Sequence, residues 1–145
     1  MMKNLTLSIL ILAIPFCVGC SVLFNSFAGI DFPAFPVKSK EFDNQIGKRY
    51  KVIRPLVIAK LEDSWGVVLV TPDFNGRKIV EISVGSIIVI DHVSMSRNIV
   101  SGKFYSYIGR FEDRNIFRGK FDLLFLTSGA DSNISLKPEY FLEIN

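Results

Sequence analysis

His92 is the only histidine of the 145-residue chain, and Asp91 stands beside it, so acid–base chemistry is the first activity to weigh. A triad needs a nucleophile, a base, and a group that orients the base. Asp91 and His92 end an apolar run that reads as a strand, where neighbouring side chains project to opposite faces. Asp91 is therefore poorly placed to orient the imidazole, and His92 reads as a surface or strand-end residue. Glu112 and Asp113 resemble a carboxylate pair, yet they sit among Arg110, Arg114 and Arg118, the composition of a solvated hairpin tip. The sequence contains no Gly-x-Ser-x-Gly elbow, phosphate-binding loop or His/Cys metal spacing. No catalytic residue, metal ligand or cofactor is assigned, and an enzyme is disfavoured.

Binding chemistry has more material. Lys48, Arg49, Lys51 and Arg54 form one basic group, and Arg110, Arg114, Arg118 and Lys120 form another around a later turn. On one side of a fold, such groups attract anionic lipid, lipopolysaccharide or an acidic partner surface; apart, they are solubilising charges. Trp65, Tyr105 and Tyr107 have the composition of an aromatic peptide groove, although strand aromatics more often fill cores. Candidate partner-binding residues are Arg110, Arg114, Arg118 and Trp65. Net charge is only +3, too near balance to argue for nucleic acid.

The two cysteines, Cys17 and Cys20, both fall in the N-terminal segment. Lys3 supplies a short basic start, Leu5 to Ile14 form an apolar run broken only by Thr6 and Ser8, and Pro15 ends any helix. The run is far short of the roughly 20 apolar residues of a membrane-spanning helix, which favours an export signal. Cys17-Val18-Gly19-Cys20 resembles the bacterial lipobox, with Cys17 where leucine is usual. The resemblance implies cleavage between Gly19 and Cys20 by the lipoprotein signal peptidase, a diacylglyceryl group on the Cys20 sulfur, and N-acylation. Two or three chains anchor stably where one gives marginal binding. Ser21 in place of aspartate implies, by the same resemblance, the periplasmic face of the outer membrane in a Gram-negative host. Processing after Gly19 leaves no thiol for a disulfide, so stability rests on packing.

Residues 21 to about 46 read as a tether, punctuated by Gly29, Pro33 and Pro36. Phe24, Phe27, Phe32, Phe35 and Phe42 make it more aromatic than a solvated linker. Either some of them pack on the domain as an N-terminal arm, or Phe24 and Phe27 enter the lipid interface.

From Gly47 onward the apolar runs suit strands: Tyr50 to Leu61, Trp65 to Thr71, Lys78 to Ile82, Ser86 to Val93, Lys103 to Phe111, Lys120 to Leu126 and Tyr140 to Ile144. Asp73-Phe74-Asn75-Gly76 carries the Asn-Gly pair that favours a tight hairpin. Alternation places Tyr105, Tyr107, Gly109 and Phe111 on one face, with Phe104, Ser106, Ile108 and Arg110 on the other. Gly47-Lys48-Arg49-Tyr50-Lys51-Val52 and Val84-Gly85-Ser86-Ile87-Ile88-Val89 resemble bacterial SH3-like barrels, a likeness that concerns fold and implies no activity.

The expectation is an all-β chain: signal peptide 1–19, lipid-anchored tether 20–46, and a small antiparallel SH3-like barrel or sandwich over 47–145. Its expected role is a noncatalytic binding or assembly module of the cell envelope, held to the membrane by its lipid, with an envelope protein or cell-wall partner and no nucleic acid. The rivals are a periplasmic inhibitor or immunity lipoprotein presenting Asp131 to Ser135, and a wall-modifying enzyme using His92.

Overall fold

Strand-forming residues dominate the chain, and a computed structural model describes residues 35–37, 40–61, 66–98, 102–130 and 133–145. Cys20, Gly19 and Trp65 lie outside the described residues, as do the signal segment and most of the expected tether. The described residues up to Ser96 and from Lys103 onward form one body, and it is this body that is set out below. Its strands are β1 (Phe35–Pro36), β2 (Arg49–Val52), β3 (Leu56–Lys60), β4 (Val67–Val70), β5 (Arg77–Ile82), β6 (Ile87–Asn98), β7 (Gly102–Phe111), β8 (Lys120–Asp122), β9 (Thr127–Ala130), β10 (Asn133–Leu136) and β11 (Phe141–Ile144). Two short 3-10 turns, Lys40–Phe42 and Leu124–Leu126, complete the regular structure.

The described residues are all-β, but their sheet is mixed and does not close. Its order is β11-β2-β6-β7-β8-β4-β3-β5, with β1 added on β6 and β9–β10 a separate hairpin. Most neighbours are antiparallel; β4 and β8 are parallel, with Val68 opposite Asp122. The path begins at β11 and ends at β5, so no closed barrel forms. At the latter edge Arg77, Lys78 and Glu81 provide the charge that discourages further strand addition.

Two expected strands and one expected hairpin turn end differently. The run Tyr50 to Leu61 is two strands, because Pro55 lacks an N–H for the ladder and the chain leaves the sheet at Ile53–Pro55. The run Lys120 to Leu126 stops at Asp122, whose Oδ1 accepts the Leu124 N–H at 2.8 Å and starts a 3-10 turn. Thr127 Oγ1 then donates to the Leu124 carbonyl at 2.9 Å. The Asn75-Gly76 turn does not join paired strands: β4 and β5 flank β3 on opposite sides, so the connection crosses over it.

The main core is built from alternate residues. Tyr50 and Val52 of β2, Ile88 and Ile90 of β6, Tyr107 and Phe111 of β7, and Phe121 of β8 all point into it. Tyr107, Gly109 and Phe111 share the inward face, as their alternation predicts. Gly109 is small for a reason: a Cβ there would lie 3.0 Å from the Phe121 ring and 3.2 Å from Leu123. The Phe111 and Phe121 rings pack with centroids 4.8 Å apart. Strands β3 and β4 are buried on both faces, since Val57, Ala59, Val68 and Val70 form a second, smaller cluster.

The packed body begins upstream of residue 47. Phe35 and Pro36 pair with Met95 and Ser94 of β6. Phe42 is 2% exposed, its ring 5.5 Å from that of Tyr105. At least Phe42 of the aromatic residues therefore serves the core, as an N-terminal arm would.

Candidate functional site

The cations of the second basic group are brought together by local chain geometry. Arg110, near the end of β7, is the Cα partner of Lys120 in β8, so two like charges face each other across an antiparallel pair. That arrangement costs stability unless an anion intervenes. Asp91 of β6 is that anion: Lys120 Nζ lies 2.6 Å from Asp91 Oδ2, and Arg110 Nε lies 3.9 Å from Oδ1. The hydrogen bond from Lys120 is the main force holding the Asp91 carboxyl below its ordinary range; His92 adds to it and partial burial opposes it.

Residues 112–119 join β7 to β8. Asp113 Oδ1 accepts the Asn115 N–H at 2.9 Å, and the Asp113 carbonyl accepts that of Ile116 at 3.2 Å. This asparagine-type turn is the local chemistry that aspartate favours, and the connection leaves Arg114 and Arg118 exposed. Arg110, Arg114, Arg118 and Lys120 then line one open cleft of about 70 Å³, with Phe111, Phe117 and Gly119 supplying its apolar wall. A Cβ on Gly119 would fall 2.7 Å from the Phe117 ring, so glycine is what lets that ring lie against the backbone. Among the described residues neither Arg114 nor Arg118 has an acidic partner within ion-pair distance.

Three of the four cations of the first basic group, all but Lys51, have partners elsewhere. Lys48 pairs with Glu143 at 3.0 Å, Arg49 with Glu112 at 2.9 Å, and the Arg54 guanidinium sits 5.9 Å from the Tyr140 ring centre. The described cleft is lined by the second group.

Asp91 and His92 are closer partners than strand alternation predicts. His92 Nδ1 is 2.8 Å from Asp91 Oδ2. Ile88, Ile90 and Val93 of β6 are buried in the core, while Asp91 and His92 between them are only partly buried. The carboxylate does orient the imidazole. Even so, His92 is not among the residues lining the cleft. The nearby buried hydroxyl, Ser106, donates to Asp122 Oδ2 at 3.1 Å and is 2% exposed. Burial raises the Asp122 carboxyl, while the bonds from Ser106 and Leu124 work against that rise. Among the described residues no hydroxyl hydrogen-bonds His92, and no three His, Cys, Asp or Glu side chains converge as metal ligands.

Sequence reasoning missed the bridging role of Asp91 and the Ser106–Asp122 pair; a lone aspartate within the apolar run Lys120 to Leu126 was the available signal for the latter. Of the loop Asp131 to Ser135, residues Asn133 to Ser135 belong to β10, while Asp131 and Ser132 lie outside the described residues. No described helix is long and apolar enough to cross a membrane. No family model matches the chain, and neither the curated proteins nor the solved structures yield a match to it.

Proposed function

We propose that this chain is a lipid-anchored protein of the bacterial cell envelope whose β domain is a noncatalytic binding or assembly module, docking an anionic partner at the arginine cleft. The observation that carries the reading is the cleft itself: four cations line it, and two of them, Arg114 and Arg118, have no acidic partner among the described residues. Unpaired guanidinium groups beside apolar wall are recognition chemistry, since each offers a planar fork of donors to a carboxylate or phosphate. The anchoring part rests on Lys3, the apolar run to Ile14, and Gly19-Cys20. An SH3-like relationship is supported by Gly47 and Gly85, whose φ of +83° and +97° turn the chain just before β2 and β6.

The test compares two variants of the full-length chain in its host. Reversing Arg110, Arg114 and Arg118 to glutamate is expected to abolish the envelope phenotype and partner capture by crosslinking, while His92→Ala preserves both. Both proteins must unfold at near wild-type temperature. A folded His92→Ala protein that loses the phenotype, beside a charge-reversed protein that keeps it, overturns the reading in favour of a wall-modifying enzyme.

A further inference from the structure

Resting on the binding-module reading and deepening it, we infer that the cleft takes a terminal phosphate, free or as a monoester. The cations differ in what they have left to give. Lys120 is engaged by Asp91 at 2.6 Å, whereas Arg110 stands 3.9 Å from the same carboxylate, held in place without being consumed. Arg114 and Arg118 are without an acidic partner among the described residues. Three arginines, two of them without an acidic partner among the described residues and the third only loosely paired, thus line one cleft. A carboxylate carries one charge and two oxygens, and a single arginine fork satisfies it. A phosphate monoester carries close to two charges at neutral pH and three terminal oxygens, which matches three forks.

Size and surroundings agree. A volume of about 70 Å³ admits several waters or one small tetrahedral group. Phe111, fully buried, and Phe117, partly buried, form a wall that weakens solvent screening of the charges. Competition from inside the protein is small, because Glu112 is occupied by Arg49 through two hydrogen bonds.

The experiment is calorimetric titration of the full-length chain in detergent micelles with inorganic phosphate, glycerol 3-phosphate and acetate at matched ionic strength. Phosphate is expected to bind at least about tenfold tighter than acetate, and Arg114→Gln/Arg118→Gln to weaken it by about tenfold or more, an increment of one to two good contacts. The control Lys51→Gln/Lys60→Gln removes the same charge elsewhere and is expected to leave phosphate binding within about twofold, since distant exposed charges are screened. Should the glutamine pair fail to fold, the single variants Arg114→Lys and Arg118→Lys keep the charge and lose the fork, and each must still weaken phosphate. Tighter binding of glycerol 3-phosphate than of inorganic phosphate supports the site with a lipid headgroup as source; the reverse order supports it with free phosphate. Acetate binding as tightly as phosphate, or equal losses in the arginine and lysine variants, overturns the inference. That outcome leaves the binding-module reading to the charge-reversal phenotype, which does not depend on phosphate.

Discussion

Arg49 donates Nε–H to Glu112 Oε1 at 3.0 Å and Nη2–H to Oε2 at 2.9 Å, a two-point grip from β2 onto the residue that follows β7. The pair ties β2 to the start of the cation-bearing connection. It also keeps the Glu112 carboxylate engaged beside Arg110 and Arg114. Both partners are well exposed, so solvent screens the pair and its contribution to folding is small. Glu112→Gln is expected to leave the melting temperature nearly unchanged and to tighten anion binding at low ionic strength. That gain should vanish near 1 M salt, where charges are screened within about 3 Å. A titration repeated across salt concentrations checks both halves.

Two glycines separate binding from stability. Gly109→Ala sets a methyl group against the buried Phe121 and Leu123, and overpacking of this kind costs about 1–3 kcal/mol. Gly119→Ala meets only the far edge of the Phe117 ring, which can swing away, so the fold should change by less than about 0.5 kcal/mol. The displaced ring alters the cleft wall, and anion affinity should fall. Denaturant midpoints and binding titrations of the two variants should therefore move in opposite patterns.

Asp122 sets a dependence on pH. Burial raises its carboxyl above the unfolded value, so the folded protein binds the proton more tightly than the unfolded chain. Its contribution to stability is fully present below the unfolded pKa and is lost as pH rises through the folded one. Asp122→Asn removes this loss, retains an oxygen for the Leu124 N–H, and offers an amide to Ser106. The stability of the variant relative to wild type should grow as pH rises from the acid side towards neutrality, then level off. Asp91, with its lowered carboxyl, loses stability as pH falls, and being common to both proteins it cancels in the comparison. Urea midpoints over a pH series give the answer, and a difference that does not change with pH removes the buried charge as its source.

The anchor makes the fourth prediction. Cys20→Ser should abolish incorporation of labelled fatty acid and leave an unprocessed precursor, because Cys17 is the only other thiol in the chain. Label persisting in the mutant protein rules out Cys20 as the lipid site.

The sequence made the strands legible where alternation or an apolar run was uninterrupted, as in β7, whose inward face of Tyr107, Gly109 and Phe111 follows from period alone. It failed where one residue outweighed a run: Pro55 divides β2 from β3, and Asp122 ends β8 by capping its own backbone. The hairpin signal at Asn75-Gly76 was local and correct as a turn, yet strand pairing is decided by distant partners, and β3 took both neighbours. The same division holds for the site. Arg110, Arg114, Arg118 and Lys120 were legible as a group because one turn gathers them. Asp91 was not, since its contact with Lys120 depends on the lateral order of β6, β7 and β8, and its contact with His92 on side-chain placement that strand alternation does not predict.

The pairing of Phe35 and Pro36 with β6 shortens the tether that the proposed lipid on Cys20 would use. With a lipid on Cys20, the chain from there to Phe35 reaches at most about 50 Å when fully drawn out, against about 90 Å had the domain begun at Gly47. A domain so held patrols a thin layer over the bilayer, and any ligand bound within that layer is met at a high effective concentration. Modest affinity at the arginines is then enough for occupancy, and soluble copies freed from the membrane would lose most of it.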